Sequence, residues 1–308
     1  MNHLARLVFW WLAVPLLAIT LLGAISYVHA PTSLPPAGAA DSPSLKDVLT
    51  SLRSMFVPLA GTTATPTVRA DNTDPVPILM YHFVRDNVNQ ATDPLGYGLS
   101  VPTREFAQQM QYLADNGYTT VTMDAVARGE YGAKSVALTF DDGYKDFITD
   151  AYPILEQHNF TATVFIITSR LNDTRHLSPD DIVYLANRGI AFGSHSVSHL
   201  NLANQSATNL HTELADSQKT LTALLNKPIT AVSYPAGKYS AAAVSEATKL
   251  GYTSGVTVEE GRADPSKDMM RLARIRMKRS ITPQELGQLM TQSPVIVGPT
   301  DTNRAPSS

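Results

Sequence analysis

The sequence contains no cysteine among its 308 residues. This absence excludes disulfide bonds, cysteine-ligated zinc sites, thiol nucleophiles and attachment of a lipid to a cysteine. The chain also lacks a run of basic residues, and its formal net charge is −3 at pH 7, so both features argue against nucleic-acid binding. No internal repeat is visible. With 44% hydrophobic residues, the chain can bury one large domain or two small ones.

An uncharged stretch of about 22 residues, 7–28, follows Arg6 near the N-terminus. It is long enough to cross a bilayer, whereas the apolar core of a cleaved signal peptide usually has about 7 to 15 residues. Residues 28–30 resemble a cleavage site, but Pro31 directly after them is unfavourable. Trp10 and Trp11 are placed as interfacial anchors. The pattern favours an uncleaved membrane anchor over a cleaved signal, with the rest of the chain exported.

Composition divides the chain into four parts. Residues 1–30 form the signal anchor or signal peptide, and residues 31–75, rich in Pro, Ala, Ser and Thr, are typical of a flexible linker. Residues 76–292 have the pattern of one folded domain. Residues 293–308 are predicted to be a disordered tail.

Within the folded domain, short strands alternate with helices, which predicts an α/β fold with parallel strands. The predicted strands lie near 77–82, 119–121, 135–140, 161–167, 190–194, 230–234 and 253–257. The predicted helices lie near 103–116, 145–158, 179–188, 207–226, 240–250 and 282–291. Polar residues at the C-terminal ends of such strands are candidates for an active site.

Two acidic residues, Asp141 and Asp142, follow a run of strand-forming residues and precede Gly143. Two carboxylates held close together after a buried strand need a cation or a shared proton. His195 and His199, spaced i, i+4, follow another predicted strand. Alone, the first pattern also fits an Asp-Gly turn with a helix cap, and the second also arises by chance. Together they predict a metal site of one carboxylate and two imidazoles, with positions left for water and substrate.

The residues 139–144 (TFDDGY) and 195–199 (HSVSH) resemble, in this order, the first two signature motifs of the polysaccharide deacetylases. This family has a NodB-like domain and is also known as carbohydrate esterase family 4. Residues 77–84 (PILMYHFV) are similar to the branch that deacetylates exopolysaccharides such as poly-β-1,6-N-acetylglucosamine. The resemblance covers roughly residues 75 to 290. It implies a distorted (β/α)7 barrel, here preceded by the N-terminal transmembrane or signal helix.

The resemblance also implies roles for the four motif residues. Asp142, His195 and His199 correspond to the metal ligands, and Asp141 to the general base that takes a proton from water. Zinc is the expected metal, with cobalt or nickel able to replace it. The metal would lower the pKa of water and polarise the amide carbonyl of the substrate.

The third motif, residues 233–237 (SYPAG), departs from the usual family pattern. Ser233 replaces an arginine that orients the general base in many members. Ala236 stands in place of a tyrosine whose backbone N–H binds the oxyanion, a function that alanine retains. Tyr234 is a candidate substrate contact, and Tyr97, Tyr131 and Tyr239 are further candidates for a sugar cleft.

The last motif, residues 272–274 (LAR), has Arg274 where the family often has a histidine that protonates the leaving amine. Arginine is a poor proton donor, but it can orient a carboxylate such as Asp141 by a bidentate pair. Another acid is then needed, and His82, at the end of the first predicted strand, is the candidate. The alternative is that His82 is only a hydrogen-bonded residue at the rim of the cleft.

These patterns predict a metal-dependent hydrolase that removes N-acetyl groups from an extracytoplasmic polysaccharide. Poly-N-acetylglucosamine is the first candidate substrate, followed by peptidoglycan and chitin oligomers. The expected location is the bacterial cell envelope, anchored in the inner membrane and facing the periplasm or exterior, or secreted if the N-terminal segment is cleaved. An exopolysaccharide export machinery is a candidate partner. Two alternatives remain: a hydrolase of small amides, and a noncatalytic carbohydrate-binding or scaffold module.

Overall fold

The computed structural model describes residues 74–297. The predicted membrane or signal segment 1–30 and the linker 31–73 lie outside these residues, as does the tail from residue 298. Within the described part, no helix combines the length and the apolar character that a bilayer crossing requires.

Twelve strands are present in the described residues. They are β1 Ile78–Tyr81, β2 Phe83–Val84, β3 Ser100–Val101, β4 Thr119–Val121, β5 Ser135–Phe140, β6 Thr163–Ile166, β7 Ala191–Ser194, β8 Ala231–Ser233, β9 Ser254–Glu260, β10 Arg262–Ala263, β11 Leu272–Arg276 and β12 Val295–Ile296.

Seven of these strands form a closed parallel barrel in the order β1, β11, β9, β8, β7, β6, β5. The barrel closes because β5 also pairs with β1, in a register that sets Leu79 opposite Leu138. The predicted (β/α)7 fold is therefore confirmed. The predicted strand at 119–121 is present as β4, but it pairs only with the start of β5 and is not a barrel strand. The seventh barrel strand is β11, which was not among the predicted strands. The arginines of β11 made it unlike a buried strand.

The helices lie between consecutive strands, as the sequence pattern predicted. They are Pro94–Leu99, Thr103–Asp115, Met123–Ala127, Tyr152–Gln157, Pro179–Ala186, Ala207–His211, Ser217–Leu225, Ala241–Lys249 and Pro283–Gln292. A π-helical turn at Phe147–Ala151 leads directly into the helix Tyr152–Gln157, and a second at Thr212–Asp216 joins Ala207–His211 to Ser217–Leu225. Side-chain caps explain where several helices begin; for example, Ser178 and Thr282 form capping boxes.

Successive side chains along a barrel strand point alternately outward, towards the helices, and inward, into the barrel. On β5, Val136, Leu138 and Phe140 pack into the large apolar cluster that includes the helices. The alternate residue Ala137 belongs to the smaller cluster inside the barrel. Continuing this alternation places the side chain of Asp141 on the interior side, at the C-terminal end of the barrel.

The C-terminal boundary differs slightly from the predicted one. Residues 293–308 were predicted to be disordered, but β12 pairs in parallel with β10. Arg262 also donates through its backbone N–H to the Pro294 carbonyl and through Nε to the Ser293 carbonyl. The folded domain therefore extends at least to Ile296, and the rest of the tail prediction lies outside the described residues.

Candidate active site

Asp142, His195 and His199 meet at the C-terminal end of the barrel. Asp142 Oδ1 lies 3.4 Å from His195 Nε2 and 3.6 Å from His199 Nε2. Asp142 and His195 are buried, whereas His199 is partly exposed. In the described part of the chain these three residues are a group whose ligand atoms all lie within 4.8 Å of one another. The predicted metal-binding residues are thus brought together.

The backbone at this end of the barrel is strained in a way that serves the site. Asp142, Ser196, His199 and Ala236 have positive φ angles between 50° and 72°. This backbone conformation costs energy for most residues other than glycine and asparagine, and residues that adopt it cluster at functional sites. The two histidines therefore share a tight turn and not a helical turn, with ring centroids 4.8 Å apart.

One hydrogen bond determines which ring nitrogen of His195 faces Asp142. Its Nδ1 lies 2.7 Å from the Ser233 carbonyl oxygen, which can only accept, so Nδ1 carries the proton. In the neutral ring, the lone pair of Nε2 then points at the Asp142 carboxylate. Burial acts to lower the pKa of His195, but Asp141 and Asp142 outweigh it and raise that pKa.

Asp141 forms a bidentate ion pair with Arg274. Nη1 donates to Oδ1 at 2.8 Å and Nη2 to Oδ2 at 2.7 Å, and both side chains are buried. Burial acts to raise the pKa of Asp141, but the guanidinium and the nearby His195 lower it well below its usual range. Asp141 is therefore ionised at any working pH.

All five N–H groups of Arg274 have acceptors. Besides Asp141, the guanidinium donates to the Thr257 carbonyl at 2.7 Å, to Thr139 Oγ1 at 3.1 Å and to Ser233 Oγ at 3.2 Å. Ser233 stands where many family members have an arginine, and Arg274 of β11 supplies the guanidinium that Asp141 would otherwise lack. Arg274 was predicted among the catalytic residues; it is fully buried and contacts Asp141, so its place in the site is one of positioning.

His82 lies at the wall of the site, as its place after β1 predicted. Its Nε2 is 4.0 Å from Asp141 Oδ2. Burial lowers the pKa of His82 more than the two aspartates raise it, so the imidazole is neutral near pH 7. A neutral imidazole beside a buried carboxylate is able to accept a proton.

Asp142, His195 and His199 line a cleft of about 780 Å³. Phe83 and Tyr144 stack in this cleft with ring centroids 3.7 Å apart, and the guanidinium carbon of Arg85 lies 3.5 Å from the Phe83 ring. Arg85 also donates to Asp93, on the short segment that carries the exposed Leu95. The cleft therefore combines an anionic floor with an aromatic and cationic wall.

Comparison with known proteins identifies the family. The sequence model of the family described as polysaccharide deacetylase matches residues 128–255. YxkH of Bacillus subtilis, which is classed among the polysaccharide deacetylases, is 33% identical over 225 residues, covering 71% of this chain and 77% of its own length. The chain belongs to the polysaccharide deacetylase family. It is thus a hydrolase of the amide bond of N-acetylated polysaccharides.

Solved structures and a further relative resemble the deacetylase as well. The deacetylase PplD of Streptococcus pyogenes, in complex with acetate, is 32% identical with a TM-score of 0.67, covering 71% of this chain and 99% of that one. BC0361, a polysaccharide deacetylase from Bacillus cereus, is 26% identical with a TM-score of 0.64, covering 71% and 69%. The poly-β-1,6-N-acetyl-D-glucosamine N-deacetylase of Staphylococcus aureus is 24% identical over 194 residues, covering 57% of this chain and 67% of its own length.

Deacetylases of this family use a divalent metal, and the donors present here fit one. Two imidazole nitrogens and a carboxylate oxygen are common ligands of a catalytic cation, and three ligands leave positions for water and substrate. The fit rests on His195: its Nδ1 proton is engaged by the Ser233 carbonyl, which leaves Nε2 as a lone-pair donor facing Asp142.

Two predicted contacts of the deacetylase have different environments. Ala236 is exposed at the cleft in a left-handed turn, as an oxyanion donor would require. The substrate contact predicted for Tyr234 is wrong, because its side chain is fully buried and packs against Tyr239 with centroids 4.7 Å apart. Side chains alternate along β8 and the residue after it, so Tyr234 points outward with Val232 into the cluster between barrel and helices. Tyr131 is also buried, under the barrel.

The sequence reading missed two cleft residues. His176 lines the cleft and is buried, with its ring centroid 5.0 Å from that of Tyr144. Asp146 also lines the cleft, where it accepts a 2.6 Å hydrogen bond from the Val84 N–H. Neither lies at a strand end, so no local signal distinguishes them from surface residues.

Proposed function

We propose that the deacetylase uses zinc to remove N-acetyl groups from an extracytoplasmic poly-N-acetylglucosamine. The observation that supports this most is the Asp142, His195 and His199 group, which lies beside Asp141 on the floor of an open cleft. The S. aureus relative, whose name specifies poly-β-1,6-N-acetyl-D-glucosamine, supports the choice of substrate. Peptidoglycan and chitin oligomers are the next candidates.

The proposed mechanism assigns one role to each residue around the group. A divalent cation held by Asp142, His195 and His199 would activate a water molecule and polarise the acetamido carbonyl. Asp141 is ionised, so it is able to accept a proton from the attacking water. Arg274 fixes both carboxylate oxygens of Asp141 and so determines its direction.

The remaining roles concern the oxyanion and the leaving group. The backbone N–H of Ala236 is proposed to donate to the oxygen that gains negative charge as the carbonyl carbon becomes tetrahedral. The carbon–nitrogen bond then breaks, and the amine nitrogen needs one proton. His82 is proposed to receive the proton from Asp141, 4.0 Å away, and to donate it to that nitrogen. The products are acetate and a free amine on the sugar.

The wall of the cleft suggests how a polysaccharide is bound. Sugar rings present C–H faces that pack on aromatic side chains. Phe83 is stacked between Tyr144 and the Arg85 guanidinium, so the edges of the two aromatic rings are available beside the proposed metal group, and Leu95 is 74% exposed at the same cleft. We propose that Phe83, Tyr144 and Leu95 contact the sugar units next to the one that is deacetylated.

The location follows from the N-terminal prediction and stays a proposal. An anchor or signal at residues 1–30 would place the deacetylase at the cell envelope, where extracellular polysaccharides are made and exported. We likewise propose that zinc is the metal, that residues 1–30 anchor the deacetylase in the membrane, and that it works with a machinery that exports the polysaccharide.

Acetate release tests the proposed function. The purified full chain is incubated with poly-N-acetylglucosamine and with chitin oligomers, with zinc or with a chelator. We expect release that requires zinc and that falls at least about 1,000-fold in Asp141→Asn, because the general base is lost. Asp180→Asn, an exposed aspartate on the helix Pro179–Ala186, is the matched control. Ring opening of a small cyclic imide, with no acetate released from any glycan, would refute the substrate class, and acetate release that persists with chelator would refute the metal.

A further inference from the structure

The turn between the two histidines is the segment that sets the geometry of the proposed metal group. It spans residues 195–199, and both Ser196 and His199 adopt φ angles of 61°. Side chains other than glycine rarely adopt this conformation, so the turn needs contacts from outside to keep it. Inside the turn, the His199 N–H donates to Ser196 Oγ at 3.0 Å.

Two of the contacts from outside are backbone hydrogen bonds, from Thr168 N–H to the Ser196 carbonyl at 3.2 Å and from Ser169 N–H to the Val197 carbonyl at 2.9 Å. The N–H groups of the turn are held by one buried carboxylate, Glu213. Its Oε2 accepts hydrogen bonds from the backbone N–H groups of Val197 at 3.0 Å and Ser198 at 2.9 Å. Its Oε1 accepts from Ser198 Oγ at 2.6 Å. Both oxygens of Glu213 are therefore used on the two residues that separate Ser196 from His199.

Glu213 has no cationic partner among residues 74–297, although only 7% of it is exposed. A buried carboxylate without a counter-charge is costly unless hydrogen bonds compensate for lost water. Here the donors all belong to the histidine turn. The turn and the carboxylate thus stabilise each other.

A local irregularity of the helix brings Glu213 into this position. It lies in the π-helical turn Thr212–Asp216, between the helices Ala207–His211 and Ser217–Leu225. A π-helical turn adds a residue to the helix and changes the direction of the side chains around it, and such turns are frequent at functional sites. Both Glu213 and Leu214 are buried as a result.

The same helical segment contacts the turn at a second point. Ser217, one turn further on, is buried and lies 2.8 Å from Ser194 through their hydroxyl oxygens. Ser194 Oγ in turn accepts from the Ser196 N–H at 3.2 Å. Two links therefore join the helix to the histidine turn, and the Glu213 link involves a charged acceptor, which makes stronger hydrogen bonds.

We propose that Glu213 is a positioning residue for the metal group, which holds the 195–199 turn so that His199 Nε2 faces Asp142. The proposal rests on the metal-binding part of the proposed function. Residues that orient metal ligands typically change metal affinity by about 10- to 100-fold when replaced. We expect a loss of this size in Glu213→Gln, because an amide has one acceptor oxygen and presents N–H groups to the donors of the turn.

The test measures zinc affinity by competition with a chromophoric chelator, together with hydrogen exchange of the Val197 and Ser198 amides in the metal-free protein. In Glu213→Gln we expect zinc to bind about 10- to 100-fold more weakly and both amides to exchange at least about tenfold faster. The control is Glu285→Gln, a carboxylate that accepts from Thr282 N–H and Oγ1 at a helix start away from the group. It should change neither value.

A second variant keeps the test decisive if Glu213→Gln does not fold. Ser198→Ala removes only the 2.6 Å hydroxyl bond, so we expect zinc affinity to fall about three- to tenfold. Unchanged zinc affinity and unchanged amide exchange in a folded Glu213→Gln, or unchanged affinity in Ser198→Ala, would overturn the proposal. Failure of the wild type to bind zinc would count against the proposed function, while the amide exchange rates would still decide the role of Glu213 in the turn.

Discussion

The ion pair between Asp141 and Arg274 allows the sharpest prediction about stability. Arg274→Gln removes the charge and both bonds to Asp141, and it leaves a buried carboxylate without compensation. Breaking a buried pair in this way costs about 3–5 kcal/mol. For a domain of this size, where 1 kcal/mol corresponds to roughly 2–4 °C, the melting temperature should fall by about 6–20 °C.

The loss should depend on pH in a defined direction. Because the pKa of Asp141 is lower in the folded protein than its ordinary value of 3.8, this carboxylate favours folding above that value, and its contribution is lost as the pH falls through the folded pKa. Burial raises the pKa of Asp141 once the guanidinium is gone, so the wild type should exceed Arg274→Gln in stability most strongly above that raised pKa. Below it the difference should shrink, because Asp141 becomes protonated first in the variant and then, at lower pH, in the wild type.

Activity should respond through the same carboxylate. Without the guanidinium, burial raises the pKa of Asp141, so the acid limb of the kcat/KM profile should move to higher pH. Loss of orientation should lower kcat/KM by about 100-fold or more at the optimum. Arg274→Lys, which keeps the charge on one nitrogen, should recover part of the stability but little of the activity.

Denaturant unfolding from pH 3 to pH 8 and the pH dependence of acetate release measure these effects. Arg262→Lys is the control, since Arg262 donates through Nε to the Ser293 carbonyl, outside the site. It should change stability by less than about 1 kcal/mol and leave the pH profile unchanged. An Arg274→Gln protein with wild-type stability and an unmoved acid limb would refute the reasoning.

Three further predictions concern the cleft. Burial raises the pKa of Asp146 to about 7. The wild-type protein is therefore most stable, as far as Asp146 is concerned, below the unfolded pKa of this group, and it loses that stability as the pH rises towards 7. The stability of Asp146→Asn relative to wild type should therefore be about 1–3 kcal/mol greater at pH 8 than at pH 4. Gly237→Ala should lower stability by more than about 1 kcal/mol, because φ is 65° and a Cβ would overlap Val258. Phe83→Ala should raise KM for the polymer several-fold with little change in kcat, since it removes binding surface only.

Each of these predictions has a control on the same chain. Asp150→Asn, at an aspartate that does not line the cleft, is the control for Asp146→Asn and should leave stability unchanged. Gly132→Ala adds a Cβ where no atom lies within 4 Å, so it should be neutral. Tyr118→Ala removes a half-buried aromatic ring outside the cleft, with Lys134 Nζ 4.5 Å from its centroid, and should leave KM unchanged. A matching effect in a control would show that the proposed cause is wrong.

Strand and helix positions were predictable because they depend on local patterns. Apolar runs such as residues 135–140 and cap residues such as Ser178 act over a few residues, and most element bounds agree to within two or three positions. The misassigned barrel strand shows the limit. Leu272–Arg276 contains two arginines, and only the acceptors inside the barrel make a buried arginine acceptable there.

The sequence by itself determined the elements and the residues that can ligate a metal. A metal site of one carboxylate and the imidazoles of His195 and His199 is predicted from residue types and from their places after two strands, which are local properties, and the choice of Asp142 as the carboxylate came from the family resemblance. The sequence offered Arg274 as a partner for Asp141, 133 residues earlier in the chain, and only the tertiary structure shows the bidentate pair between them and its further acceptors Thr257, Thr139 and Ser233. It also decided that Tyr234 is buried and that Glu213 holds the histidine turn. The physical reason is that these contacts arise when the barrel closes and the helices pack on it, and no local pattern encodes which distant residues then meet.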